Sequence, residues 1–204
     1  MKHAVVIAHP NAHSYTASLA RAYGEAAAAG GAAVVARDLY AMGFDPVLKA
    51  SEIPWAAGFA PGADVVAERA TLADVDVFAF FYPIWLNSPP AMLKGYLERV
   101  FGLGFAYARE STGNVPLLKG RKFISFTSSG APTEWVIQSG AWGAMRTLFD
   151  SHFASVCGLE VVDHAHFGGI HPGIRADSVE SDRETVRATF TRHFAPALKR
   201  SAAG

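Results

Sequence analysis

The sequence predicts an α/β fold: a five-stranded, doubly wound parallel sheet with helices on both faces. Three observations predict it. Short apolar runs rich in β-branched and aromatic residues recur along the chain. Helical patterns alternate with them. The runs also lack the strict apolar–polar alternation of a half-exposed strand, so both faces of each are covered, as in parallel sheets.

The elements follow in order. Ala4–Ala8 is an apolar run and reads as strand one. After the loop His9–Tyr15, the alanine-rich stretch Thr16–Ala29 is a helix, because alanine is the best helix former, and Gly30-Gly31 stops it. Ala32–Arg37 is strand two and completes a β-α-β unit. Asp38–Pro61, broken by Gly43, Pro46, Pro54 and Gly58, is an irregular excursion with a helical turn near Pro46–Ala50. Ala63–Asp74 is helical. Val75–Tyr82 (VDVFAFFY) is the most apolar strand and is predicted to be central. Ala91–Phe101 is a helix with Met92, Leu93, Tyr96, Leu97 and Val100 on its apolar face. Gly102–Leu118 is a second excursion. Lys122–Thr127 is strand four, and Gly140–Ser155 is a helix. Leu159–Val162 is strand five, extending toward His166. Ser181–Arg200 is a closing helix, with Ser181-Asp182-Arg183-Glu184 as its capping box.

Composition narrows the function. The 204 residues suit one domain, spanning 1–204, with 50% hydrophobic and 18% charged residues. The formal net charge is +0 and no long basic run occurs, so nucleic-acid binding has no electrostatic footprint. No run is long enough for a membrane span. The N-terminal apolar stretch, cut short by His9-Pro10-Asn11, is too brief for a signal peptide. The single cysteine, Cys157, suits a reducing cytoplasm and reads as a small buried residue rather than a redox thiol. His164 and His166 share one strand face with His171 nearby, yet no Cys/His spacing resembles a metal site.

In doubly wound sheets ligands bind at the carboxyl ends of the strands, near the switch point of strand order. Three loops therefore carry the functional reading. Loop one, His9 to Thr16, lacks G-x-G-x-x-G, which counts against a Rossmann-type dinucleotide turn. It offers the hydroxyls of Ser14, Thr16 and Ser18 beside a helix N-terminus able to bind phosphate, although Ser14 equally suits a plain cap. Loop two, Tyr82-Pro83-Ile84-Trp85-Leu86-Asn87-Ser88-Pro89-Pro90, is stiffened by prolines and carries apolar side chains suited to a flat ring. Loop three, Thr127-Ser128-Ser129-Gly130-Ala131-Pro132-Thr133, has small residues that let backbone approach a ligand.

These loops, with Asp38-Leu39-Tyr40-Ala41-Met42-Gly43-Phe44-Asp45-Pro46, the run Pro90-Ala91-Met92-Leu93-Lys94-Gly95-Tyr96, Glu98-Arg99-Val100-Phe101 and Gly104-Phe105-Ala106-Tyr107, resemble the flavodoxin-like NAD(P)H:quinone oxidoreductases of the DT-diaphorase type. The resemblance covers most of the chain and is most specific from Pro83 to Tyr107. It implies a flavodoxin-like sheet of strand order 2-1-3-4-5. It also implies a homodimer with one flavin per subunit at the interface, and hydride transfer from NAD(P)H to quinones or similar small acceptors by a ping-pong mechanism. By position, His9, Ser14, Tyr15, Thr16 and Ser18 would hold the flavin phosphates and ribityl chain. Pro83, Ile84, Trp85 and Leu86 would line the isoalloxazine, and Thr127, Ser128, Ser129 and Gly130 would contact its polar edge. Tyr107 would come from the partner subunit. FAD is favoured by the Asp38–Pro61 excursion and by Asp45-Pro46-Val47-Leu48, with FMN as the alternative.

The chain also departs from the family. Where better-known members place a Tyr and a His after loop three, the nearest counterparts here are Trp135 and Trp142, which cannot act as acid or base. Arg109 replaces a second aromatic after Tyr107. It either binds an anionic substrate or NADPH phosphate, or is a surface charge. Trp55 and Phe59 form a pocket lid, an interface or a satellite core. The departures leave two further functional readings: an ancillary flavin-binding subunit of the potassium-efflux type, and an azo- or nitro-reductase.

Overall fold

The computed structural model describes residues 1–111 and 113–202, and side chains to residue 198. The elements are β1 (Lys2–Ile7), α1 (Tyr15–Ala29), β2 (Ala33–Asp38), α2 (Ala63–Leu72), β3 (Val77–Pro83), α3 (Ala91–Val100), β4 (Tyr107–Glu110), β5 (Gly113–Pro116), β6 (Lys122–Ser128), α4 (Thr133–Gln138), α5 (Ala141–Met145), α6 (Phe153–Cys157), β7 (Glu160–Phe167) and α7 (Ala176–Ala202). The main sheet runs β2-β1-β3-β6-β7 with every pairing parallel, so the strand order is the expected one.

Strand β3 is central and wholly buried. Its alternate residues feed two cores, as the pleat requires. Phe78, Phe80 and Tyr82 join Leu93, Tyr96, Leu97 and Val100 of α3. Val77, Ala79 and Phe81 join Leu19 and Tyr23 of α1 and Phe190 and Phe194 of α7. Burial of each such aromatic contributes roughly 2–3 kcal/mol.

Helix α1 starts where the sequence places it. Ser14 Oγ accepts from Ala17 N at 3.1 Å, and Gly31, at φ 87°, ends the helix in the left-handed conformation.

The excursion after β2 is fastened to α3 by a close approach and a buried ion cluster. Gly95 faces the Pro46 backbone so closely that a Cβ there would lie 2.1 Å from the Pro46 oxygen. The Arg99 guanidinium, buried in α3, binds Glu52 through two contacts (2.8 and 2.7 Å), Asp64 (2.7 and 2.9 Å) and the Asp45 carbonyl (2.6 Å). Arg99 holds the Glu52 carboxyl down at about 2.

Five expectations change. The helical turn placed near Pro46–Ala50 falls instead at Ala50–Glu52, a 3₁₀ turn whose Glu52 serves Arg99. Within the second excursion, β4 and β5 form an antiparallel hairpin. A further helix, α4, precedes the one expected from Gly140; Gly140 itself, at φ 78°, separates α4 from α5. The helix expected over Gly140–Ser155 is interrupted at Arg146–His152 by π-helical turns, between α5 and α6. The closing helix starts at Ala176, so the Ser181–Glu184 box lies inside it rather than at its cap. There Ser181 O accepts from Thr185 Oγ1, Asp182 accepts from Tyr15 OH, and Glu184 pairs with Arg187. Tertiary contacts and i,i+3 ion pairs carry the helix N-terminally past this local start signal.

Candidate flavin cleft

The three loops meet at the carboxyl ends of β1, β3 and β6, where the strand order reverses between β1 and β3. Together they line a cleft of about 160 Å³. Loop one supplies His9, Tyr15 and Thr16. Loop two supplies Pro83, Ile84 and Trp85. Loop three supplies Ser128, Ser129 and Gly130.

Each loop is built by local chemistry. In loop one Asn11 organises the turn: its N–H donates to His9 Nδ1 (3.0 Å), its Oδ1 accepts from His13 N (2.8 Å) and its carbonyl accepts from Ser14 N (3.0 Å). The remaining first-turn amides of α1 have no intrahelical acceptors, so this helix end suits an anion. Burial lowers the pKa of His9 from its ordinary 6.5, so the ring is neutral at pH 7. With Nδ1 accepting, Nε2–H is its donor.

In loop two, Trp85 and Ser88 exchange backbone bonds (3.0 and 3.1 Å) across a two-residue turn. Leu86 (φ 51°) and Asn87 (φ 56°) both occupy the left-handed region, which strains a leucine. The loop is held by Ile84 N donating to Ser128 O at 2.7 Å. Trp85 is 45% exposed and Leu86 fully so, leaving an apolar rim open to solvent. The His9 and Trp85 ring centroids are 5.7 Å apart.

Loop three is tied to the segment after β7. Ser129 N donates to Phe167 O, Ile170 N to Ser129 O, and Gly169 N to Ala131 O. Gly168 lies so near α4 that a Cβ would fall 2.3 Å from Thr133 N.

Not every candidate residue faces the cleft. Ser14 Oγ is spent on its cap, and Ser18 Oγ donates to Tyr15 O at 2.7 Å. Leu86 projects outward. The Thr127 side chain turns through the sheet toward His164 and His166. Tyr107, on β4, lines a separate cavity of about 260 Å³ with Arg69 and Arg99. Trp135 is half exposed on α4. Trp142 covers His164 (centroids 4.6 Å apart) and His166 (5.5 Å). Arg109 stacks on Trp55, 4.1 Å from the ring centroid. Among the described residues no cluster of His, Cys, Asp and Glu is arranged to hold a metal ion, and no helix is long and apolar enough to cross a membrane.

Two contributors escaped the sequence reading. Ile170 lines the cleft, and Asp182 accepts from Tyr15 OH at 2.8 Å. Burial, helped by Asp182, raises the Tyr15 pKa, so it remains a phenol. Neither residue carried a local signal for the cleft, because each arrives from the segment that follows β7.

Fold and cleft together define a class: a doubly wound parallel-sheet protein with an open cleft at its switch point. Comparison with known proteins agrees. The family model described as flavodoxin-like fold matches residues 1–191. An uncharacterised NAD(P)H oxidoreductase of Haemophilus influenzae is 32% identical over 84% of this chain and 85% of its own length. The NAD(P)H dehydrogenase [quinone] 1 of Rattus norvegicus is 28% identical over 94% of this chain and 80% of its own. The solved NAD(P)H:quinone oxidoreductase of Methanothermobacter marburgensis superposes with a TM-score of 0.80 at 28% identity, covering 92% of this chain and 96% of that one. The chain belongs to the flavodoxin-like NAD(P)H:quinone oxidoreductase family.

Proposed function

We propose that the three-loop cleft seats the isoalloxazine of FAD, and that the protein is a flavin-dependent oxidoreductase passing hydride from NAD(P)H to quinones or similar small acceptors. The carrying observation is the convergence of an anion-binding helix end, an apolar wall and a small-residue edge in one cleft.

The residues present fit the group. The first-turn amides of α1, with the Thr16 hydroxyl, would hold its phosphates. Thr16 Oγ1 and Ser128 Oγ are 3.4 Å apart, a weak contact that leaves hydrogen-bonding capacity for a ligand. Pro83, Ile84 and Trp85 would form the ring's wall, and Ser129 and Gly130 its polar edge. When bound, the flavin supplies the two-electron chemistry, and the protein contributes orientation and electrostatics.

NAD(P)H and the acceptor use the open side of the cleft in turn. Trp135 and Leu86, both exposed, would offer apolar surface to the acceptor outside the cleft, and Trp142 would act through the histidines it covers. A cleft of this size is one wall of a site rather than a whole pocket, since drug-sized pockets run to roughly 300–1,000 Å³. A homodimer completes it, with Tyr107 of the partner subunit as the cover. The enzyme works in the reducing cytoplasm, where the buried Cys157 stays a thiol.

Extraction of the cofactor and chromatography tests the assignment: FAD is expected, FMN would correct the cofactor, and a colourless protein that takes up neither overturns the reading. Stopped-flow bleaching by NADPH followed by reoxidation with a quinone tests the activity.

A further inference from the structure

A line of hydrogen bonds leaves the cleft and runs through β6 and β7 toward the opposite face of the sheet. Ser129 Oγ, at the cleft, donates to Ala131 O at 2.8 Å and lies 3.1 Å from His166 Nε2. His166 Nδ1 is 2.9 Å from Thr127 Oγ1, which is 2.8 Å from His164 Nε2. His164 Nδ1 ends the line, 2.7 Å from Asp150 Oδ2. The other Asp150 oxygen accepts from Ser125 Oγ at 3.5 Å. Asp150, His164 and Thr127 are buried. Asp150 belongs to the π-helical turns, a distortion that recurs at functional sites. The other groups facing the line are Arg146, with Nε 4.0 Å from Asp150 Oδ2, and the buried Tyr82 phenol, whose pKa is raised by burial and then by the Asp150 charge.

Hydrogen counting fixes the direction. A serine hydroxyl has one proton, and Ser129 gives it to Ala131 O, so His166 must donate through Nε2–H. Neutral His166 then accepts at Nδ1 from the Thr127 hydroxyl. Thr127, its one proton used, must accept from His164 Nε2–H. One further proton therefore sits between His164 Nδ1 and Asp150. Burial, with the neighbouring His164 charge, lowers the pKa of His166 to about 4, which keeps it neutral. A second pattern satisfies the contacts between Ser129 and Asp150 with one proton fewer, at the loss of the Ser129–Ala131 bond. In it His164 keeps only Nδ1–H toward the Asp150 carboxylate, Thr127 donates to His164, His166 donates through Nδ1–H, and Ser129 donates to His166 Nε2.

We propose that Asp150, His164, Thr127, His166 and Ser129 form a proton relay that stores one proton on the buried Asp150–His164 pair and releases it into the cleft through Ser129. The proposal rests on the functional reading above. Two-electron reduction of an acceptor by NAD(P)H consumes one hydride and one proton. The relay delivers that proton. Ser129 releases its hydroxyl proton into the cleft and takes the Nε2 proton of His166. His166 takes the Thr127 proton at Nδ1, and Thr127 takes the Nε2 proton of His164. His164 is left neutral and Asp150 ionised. Water in the emptied cleft reloads the line by the reverse shift.

The test uses the flavin-loaded protein and its Thr127→Val and Thr127→Ser variants. Imidazole ¹⁵N NMR is expected to show His164 doubly protonated and His166 protonated at Nε2 before reduction. Once the reduced protein has passed its electrons to a quinone and the product still fills the cleft, His164 has lost one proton and the His166 proton has moved to Nδ1. Valine abolishes that tautomer change and slows the quinone-reducing step by about 10²-fold, with loss of its solvent isotope effect; serine restores both. Bound, reducible flavin with both histidines unmoved in the wild type overturns the relay alone, as does a Thr127→Val variant that behaves like the wild type. A wild-type protein that binds no flavin overturns the functional reading instead.

Discussion

Alanine at position 95 gives a sharp test of how the first excursion is held. In an exposed helix interior Gly→Ala gains up to about 1 kcal/mol from backbone entropy. Here the added Cβ would lie 2.1 Å from Pro46 O, 2.5 Å from Pro46 Cβ and 2.7 Å from Pro46 C. Those atoms are mostly backbone, so the chain at Pro46 must move by more than an ångström. Overpacking of this kind costs about 1–3 kcal/mol. The movement also pulls the Asp45 carbonyl from Arg99 Nη1, a 2.6 Å charge-assisted bond worth about 1.5–3 kcal/mol. Set against the helix gain, the net loss is about 2–4 kcal/mol, or roughly 5–15 °C in Tm for a chain of this size. Thermal and urea unfolding followed by circular dichroism measure it. Gly143→Ala is the internal control, because in α5 a Cβ at 143 meets nothing within 4 Å, so stability is expected to hold or rise. A Gly95→Ala protein as stable as wild type would refute the close approach and the reasoning built on it.

Other consequences are equally measurable. Glu52→Gln leaves buried Arg99 with Asp64 as its one remaining carboxylate and is expected to cost about 3–5 kcal/mol in urea unfolding. Because Arg99 holds Glu52 at about 2, the wild-type contribution is intact above pH 4.5 and disappears as pH falls through about 2; the variant's acid limb is flatter over that window. Burial lowers the pKa of His3 from 6.5 to about 4, so the unfolded chain binds the extra proton and stability falls as pH drops from 6.5 to 4. His3→Phe removes that slope in a pH series of denaturation curves, and an unchanged slope would contradict it. Leu86→Gly relieves the left-handed strain and raises stability by up to about 1–2 kcal/mol, since the exposed side chain has little to lose; a lower Tm would mean the leucine is held by contacts. Trp85→Ala removes the apolar wall of the cleft and is expected to weaken flavin affinity at least tenfold in a fluorescence titration, with unfolding little changed.

The sequence by itself determined the elements of the sheet and the three loops that make the cleft, and its resemblance to the family implied the strand order. Apolar runs, alanine-rich stretches, Ser14, Gly31 and the proline-stiffened turn after β3 act over a few residues, so their meaning survives without knowing what lies across the fold. The close pairing of Gly95 with Pro46 was present only as a motif, without its reason. Where a side chain points depends instead on register and on partners far along the chain. Thr127 and Ser128 are neighbours, yet the pleat sends Ser128 toward the cleft and Thr127 to His164 and His166. Asp150 reads as an ordinary helical acid until the π-helical turns bury it against a strand. Ile170 and Asp182 reach loop one from the opposite end of the sequence, and the Ser181 box was overridden because packing against α1 extended the helix beyond its local signal. Local chemistry chose the elements; long-range packing chose which of their side chains meet.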